Sequence, residues 1–116
     1  MRVDYNGRVF RAVENSSSGE VSDETRFRYF QEGDVVWAEY EGGEIVRGFL
    51  IAKVSEDGRL DARYEHVNGS GEIKTGICST VPEILPDGRL RLYERWRWTS
   101  GDGSAGESML EEIPVN

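Results

Sequence analysis

The run from Arg89 to Trp98 constrains the fold more than any other stretch. Leu90, Leu92, Trp96 and Trp98 fall on one parity, and Arg89, Arg91, Arg95 and Arg97 on the other. Successive side chains of a strand point to opposite faces, so this run reads as a half-buried β-strand with Leu and Trp inward and Arg outward. A helix would scatter the two sets around its circumference. Turn signals bound it, Asp87-Gly88 before and Ser100-Gly101-Asp102-Gly103 after. One residue breaks the pattern. Glu94 sits on the apolar parity between Leu92 and Trp96, which sends a carboxyl group into the interior.

The same turn chemistry occurs earlier. Asp57-Gly58-Arg59-Leu60 matches Asp87-Gly88-Arg89-Leu90, whereas Tyr64-Glu65 is one residue out of step with Tyr93-Glu94. A slip of one residue exchanges the faces of a strand, so the echo reads as repeated hairpin chemistry and not as a duplicated unit.

Taken in order, the chain reads as a meander. Asn6-Gly7 turns into a strand over 8–13. Residues 15–25, NSSSGEVSDET, form the longest polar loop and the natural place for a lid. A strand over 26–31 puts Phe27 and Tyr29 on one face, and one over 35–41 does the same with Val36, Ala38 and Tyr40. The strand over 44–55 turns Val46, Gly48, Leu50, Ala52 and Val54 inward. The strand over 59–67 turns Leu60, Ala62, Tyr64 and His66 inward. Residues 72–81 follow, and Pro82 should end that strand because it cannot donate to a central ladder. The Trp-rich strand comes next, and residues 107–113 close the chain. The expectation is all-β: an antiparallel up-and-down barrel, calycin- or lipocalin-like, of about eight strands spanning 1–116 as one domain.

Composition narrows the partners. With 14 Lys+Arg against 22 Asp+Glu the net charge is −8, which disfavours nucleic acid and anionic membranes. No apolar run approaches the roughly 20 residues of a membrane helix. The N-terminal stretch MRVDYNGRVF lacks an apolar leader, and the single cysteine, Cys78, cannot form an internal disulfide, so a reducing, cytoplasmic location is expected.

Three segments carry a family resemblance: EYEGGEIVRGFLIAKVSEDGRLDARYEHVN, TGICSTVPEI and LYERWRWTSGDGSAGESMLEEI. From about Asp23 onward the chain resembles a family of small bacterial calycin-like β-barrel proteins, many of which carry the label N-acetylglutamate synthase. The resemblance implies an antiparallel barrel and brings no catalytic residue with it. An acyl-CoA acetyltransferase of the common type holds the pyrophosphate at a Gly-rich turn that opens a helix. Every Gly-rich turn here joins two expected strands, so the residues do not supply that motif.

Parity gathers the inward polar set Tyr29, Tyr40, Tyr64, His66, Cys78, Thr80 and Glu94, walled by Leu50, Leu90, Leu92, Trp96 and Trp98. The leading expectation is a small, partly apolar ligand in the barrel interior, contacted by Tyr29, Tyr40, Tyr64, His66, Glu94, Trp96 and Trp98. A filled core is the alternative, with function on an outer face carrying Trp37 and Phe49, by dimerisation for example. A third reading pairs Glu94 with His66 or Tyr64 for acid–base chemistry. No metal site is expected, since His66 is the only histidine, and no cofactor is implied. Cys78 reads as a small core residue. The outward arginines are expected to pair with acids such as Glu39 or Asp61 on neighbouring strands.

Overall fold

The computed structural model of the protein describes residues 3–114. Eight strands follow one another: β1 (Val9–Asn15), β2 (Arg26–Glu32), β3 (Val35–Gly42), β4 (Ile45–Val54), β5 (Leu60–Asn68), β6 (Ile73–Ile84), β7 (Leu90–Trp98) and β8 (Ala105–Glu112). Each pairs antiparallel with the next, and β8 returns to β1, so the sheet is a closed up-and-down barrel without a free edge among the described strands. The expected fold class is the one observed. The reading of the N-terminus as leaderless, and the outer limits of the 1–116 span, fall in part on residues outside those described.

The alternation in β7 is complete. Leu90, Leu92, Glu94, Trp96 and Trp98 are all buried, and the arginines between them face outward. The two Asp-Gly turns are alike in atomic detail. Gly58 and Gly88 have φ of 87° and 89°, a left-handed conformation open to glycine without strain. In each turn the Asp carboxylate accepts the amide two residues on, Arg59 N to Asp57 at 3.2 Å and Arg89 N to Asp87 at 3.1 Å.

Three expectations fail locally. Val46 does not point inward. The β4–β5 register shifts between Ile45 and Arg47, so Val46 is 58% exposed and Ile45 takes its place in the core. Pro82 does not end β6, which runs to Ile84. Pairing with β5 stops at Thr80, so Pro82 faces only β7 and its missing N–H interrupts no β5–β6 pair. The outward arginines of β7 find other acids. Arg91 meets Glu111 at 2.8 Å and Arg95 meets Glu107 at 3.5 Å, while Glu39 and Asp61 are taken by Arg28 and Arg63.

An even number of up-and-down strands sorts the connections into two ends. The β2–β3, β4–β5 and β6–β7 turns share one end, which the segment before β1 plugs. Tyr5 is fully buried there and donates its hydroxyl to the Gly58 carbonyl at 2.5 Å. Tyr29 packs against Tyr5 and Phe10 at ring separations of 5.8 and 5.0 Å. Leu90, Leu92, Leu110 and Val36 complete this end of the core. The long segment between β1 and β2 lies at the opposite end, and there the interior is not filled.

Candidate functional site

A cavity of about 50 Å³ lies beneath the segment 16–25. Tyr40, Tyr64, Trp96, Trp98, Phe27 and Leu50 give it an apolar wall, and Glu94, His66, Cys78, Ser108 and Asn15 line it with polar atoms. Gly19, Glu20 and Val21 cover it from the long segment. It has room for more than a single water, which needs roughly 10–15 Å³, and is far below the several hundred Å³ of a site for a large ligand.

The aromatic wall depends on glycines. Tyr40 on β3 lies opposite Gly48 on β4, Tyr64 on β5 opposite Gly76 on β6, and Trp96 on β7 opposite Gly106 on β8. At each of the three a Cβ would overlap the facing ring. The rings therefore rest against the barrel wall, over backbone that carries no side chain, and do not reach across the lumen. Cross-strand packing of an aromatic over a glycine stabilises the sheet at a point where glycine alone would weaken it.

At the mouth, Glu20 reaches in from the loop. Its Oε1 accepts from His66 Nε2 at 2.8 Å, its Oε2 accepts from Asn68 Nδ2 at 3.0 Å, and Lys74 Nζ stands 3.6 Å away. Burial would push the Glu20 carboxyl upward, but the hydrogen bonds from His66 and Asn68 and the charge of Lys74 outweigh it and hold it below its usual range. Burial pushes His66 down from its ordinary value, against the opposing pull of Glu20. With Nε2 donating to Glu20, the neutral ring accepts at Nδ1 from the Tyr40 hydroxyl, 3.0 Å away. Burial raises Tyr40 well above its ordinary value, which keeps that hydroxyl a donor. Trp98 Nε1 donates to the Ser18 carbonyl at 3.1 Å, and Asn15 Nδ2 to the Val21 carbonyl at 2.9 Å, so the segment is stitched to the mouth from several sides.

Deeper in, the strand registers place Asn15, Ser108, Glu94 and Thr80 side by side across β1, β8, β7 and β6. Ser108 Oγ donates to Glu94 Oε1 at 2.7 Å. Among the described residues no other hydrogen bond reaches the Glu94 carboxyl. Burial lifts it to about 7, with the Ser108 bond acting in the other direction. Cys78 Sγ lies 3.7 Å from Thr80 Oγ1, and burial holds its thiol well above the ordinary value, as befits a small core residue.

Of the residues singled out from sequence, Tyr40, Tyr64, His66, Cys78, Glu94, Trp96 and Trp98 line the cavity. Tyr29 stands apart, at the plugged end, with its hydroxyl buried and without a hydrogen-bond partner among the described residues. Thr80 is buried one position below the lining. The pairing of Glu94 with His66 or Tyr64 is not formed: His66 is engaged by Glu20 and Tyr40, and Glu94 by Ser108. Sequence reasoning missed Glu20, Asn68, Lys74 and Ser108. Ser108 could have been found, since it belongs to a closing strand that must pair with the Glu94 strand. Glu20 could not, since it is one of three acids in a loop without periodicity.

A closed eight-stranded antiparallel barrel with an interior cavity at one end is the architecture of a small-ligand-binding barrel of the calycin type. Residues 3–113 match the family described as Avidin-like protein, and the chain belongs to that family. Avidin-like barrels bind small ligands. A comparison with curated proteins finds no match to this chain.

Proposed function

We propose that this protein binds a small, partly apolar molecule inside the barrel, with the segment 16–25 as the lid over the site. The observation that supports it most is Glu94. A buried carboxyl faces a cavity with one hydrogen bond from Ser108 and no opposite charge beside it among the described residues. Burying such a group without compensation costs several kcal/mol, and a ligand that satisfied it would remove that cost. Tyr40, Tyr64, Trp96 and Trp98 would hold the apolar part and His66 the mouth, while Tyr29 supports the floor from below. A ligand much larger than the present cavity would enter by displacing Glu20 and Val21. A thermal-shift screen of small polar-headed compounds on the wild type and on Glu94→Gln tests the reading. Compounds that raise the melting temperature of the wild type alone support it. A screen in which no compound distinguishes the two proteins counts against it.

A second reading has one observation in its favour. Trp37 on β3 and Phe49 and Ile51 on β4 are exposed on the outer face, where Trp37 pairs with Ile51, and Ile77 on β6 follows beyond Arg63 of β5. That surface would suit a second copy of the chain. Sedimentation of the wild type beside Phe49→Glu distinguishes it, a dimer that dissociates in the variant being its signature.

A further inference from the structure

We infer that the ligand is an organic cation, an ammonium group on a short apolar body, held with its N–H bonds toward Glu94 and its apolar part against Trp96 and Tyr64. The inference rests on the reading of the cavity as a binding site and names the chemistry of what it takes.

The first ground is the charge of the lining. It contains two carboxyls, Glu20 and Glu94, and, among the described residues, neither lysine nor arginine. His66 is the one basic group; burial disfavours its charged form, and its two ring nitrogens are already engaged by Glu20 and Tyr40. Glu20 already has its partners in His66, Asn68 and Lys74. Glu94 has none of opposite charge: no ion pair among the described residues reaches it, and it is 7% exposed.

The second ground is the balance of donors and acceptors. Ser108 directs its hydroxyl proton to Glu94 Oε1, and Glu94 Oε2 receives no hydrogen bond from the described residues. Asn15, beside Ser108 in the β1–β8 register, uses Nδ2 on Val21 and leaves Oδ1 buried with no donor among the described residues. With Glu94 ionised, this side of the cavity offers acceptors and lacks donors. A ligand has to bring N–H groups to it, and an ammonium brings up to three.

The third ground is the wall. The faces of aromatic rings carry partial negative charge and attract ammonium groups within about 6 Å. The protein already uses the wall in this way from outside, with Lys74 Nζ 4.7 Å from the centre of the Trp98 ring. An anionic ligand would meet both carboxyls and find no cation inside. The net charge of −8 also favours the encounter with cations over anions.

Binding an ammonium requires the ionised form of Glu94, so a proton leaves that carboxyl when the wild type binds below neutrality. The titratable groups facing Glu94 are Cys78 from β6, Tyr29 from β2, Tyr40 from β3 and Tyr64 from β5, with Glu20 and His66 farther up the same cavity. Burial keeps the thiol and the phenols neutral, holds His66 below its ordinary 6.5, and leaves Glu20 ionised. Between pH 6.5 and pH 8 the group that changes charge is therefore Glu94, whose carboxyl lies at about 7.

The test is calorimetric titration of the full chain with propylammonium and benzylammonium, against 1-propanol, benzyl alcohol, propionate and benzoate, at pH 6 and pH 8. The ammonium ions are expected to bind tighter than their matched alcohols and carboxylates. Their affinity should rise roughly tenfold from pH 6 to pH 8, with proton release that shows as a buffer-dependent heat at pH 6. Glu94→Gln should lose about tenfold or more for the ammonium ions and leave the alcohols within about threefold. Should that variant fold poorly, the wild-type pH series decides alone. Carboxylates or alcohols binding as well as the ammonium ions, or ammonium binding indifferent to pH and to Glu94→Gln, would overturn the cation while leaving the binding site standing. No binding of any of the six would overturn both.

Discussion

Glu20 Oε1 lies 2.8 Å from His66 Nε2, and that contact ties the long β1–β2 segment to a side chain of the barrel interior. The loop brings a carboxylate to a mouth that already offers donors from His66, Asn68 and Lys74. Glu20 thus occupies the polar end of the opening from the protein's own chain.

Removing it should loosen the lid and leave the barrel intact. Glu20→Ala leaves His66 Nε2 without its acceptor, while Asn68 Nδ2 keeps the Glu72 carboxylate at 3.1 Å. A loss of about 1–2 kcal/mol of stability is expected, the ordinary consequence of leaving a buried donor unpaired. The more telling readout is Trp98, whose indole donates to Ser18 on the same segment. Acrylamide should quench tryptophan fluorescence more strongly in the variant than in the wild type. Unchanged quenching would mean that the other contacts, from Asn15, Ser16 and Trp98, hold the segment without Glu20.

The two carboxyls of the cavity, half-buried Glu20 and buried Glu94, should act on stability in opposite directions with pH. Glu20 is lowered in the folded protein, so its contribution is present above its unfolded value of 4.5 and is lost as the pH falls through its folded one. His66 is also lowered, and below its ordinary 6.5 the unfolded chain takes up a proton that the folded chain resists, so stability drops there too. Glu94 is raised from 4.5 to about 7, so the folded protein holds a proton that the unfolded chain releases across that window. Its contribution is complete below 4.5, falls as the pH rises toward 7, and changes little above.

Glu94→Gln isolates the last of these. The amide keeps an oxygen for Ser108 and carries no charge to bury. The variant should gain on the wild type between pH 5 and pH 8 by roughly 1–3 kcal/mol, because a tenfold difference in proton affinity between the folded and unfolded chain is worth about 1.4 kcal/mol. Paired urea melts at the two pH values measure it. A constant difference would mean that Glu94 is not buried as a titrating group.

The glycines under the aromatic rings should be as sensitive as core residues. At Gly76 a Cβ would overlap the Tyr64 ring, with the Arg97 carbonyl also close, so Gly76→Ala must push the ring into the lumen or the strands apart. A loss of about 1–3 kcal/mol is expected, as for other overpacked sites, together with loss of ligand binding. Gly71, in a turn with open space around it but φ of 81°, provides a contrast: Gly71→Ala should lower stability and leave the cavity untouched. Thermal melts and the ligand titration on both variants check this.

The barrel was legible because its strands obey parity. Leu92 and Trp96 in β7, and Ala62 in β5, point inward by simple alternation, and Asp-Gly pairs mark the turns between them. Parity also placed Glu94 inside, since β7 carries no bulge. It failed at Val46, because a bulge depends on how two strands meet and leaves no mark in either one alone. Pro82 misled for a related reason: whether a proline interrupts a ladder depends on which neighbour its nitrogen faces. The cavity was half legible. Its wall came from strand periodicity, but Gly48, Gly76 and Gly106 gain meaning only once the register sets them opposite Tyr40, Tyr64 and Trp96. The lid contact of Glu20 joins residues 46 apart through a loop without periodicity, and only the folded chain brings them together.

The indole N–H signals of a ¹⁵N-labelled sample test the central claim most directly. Trp96 and Trp98 line the cavity, whereas Trp37 stands on the outer face, stacked on Phe30. Titration with a compound that raises the melting temperature should shift the Trp96 and Trp98 indole signals and leave that of Trp37 in place. A shift confined to Trp37, or none in any of the three while binding is measured calorimetrically, would place the ligand outside the barrel and contradict the account.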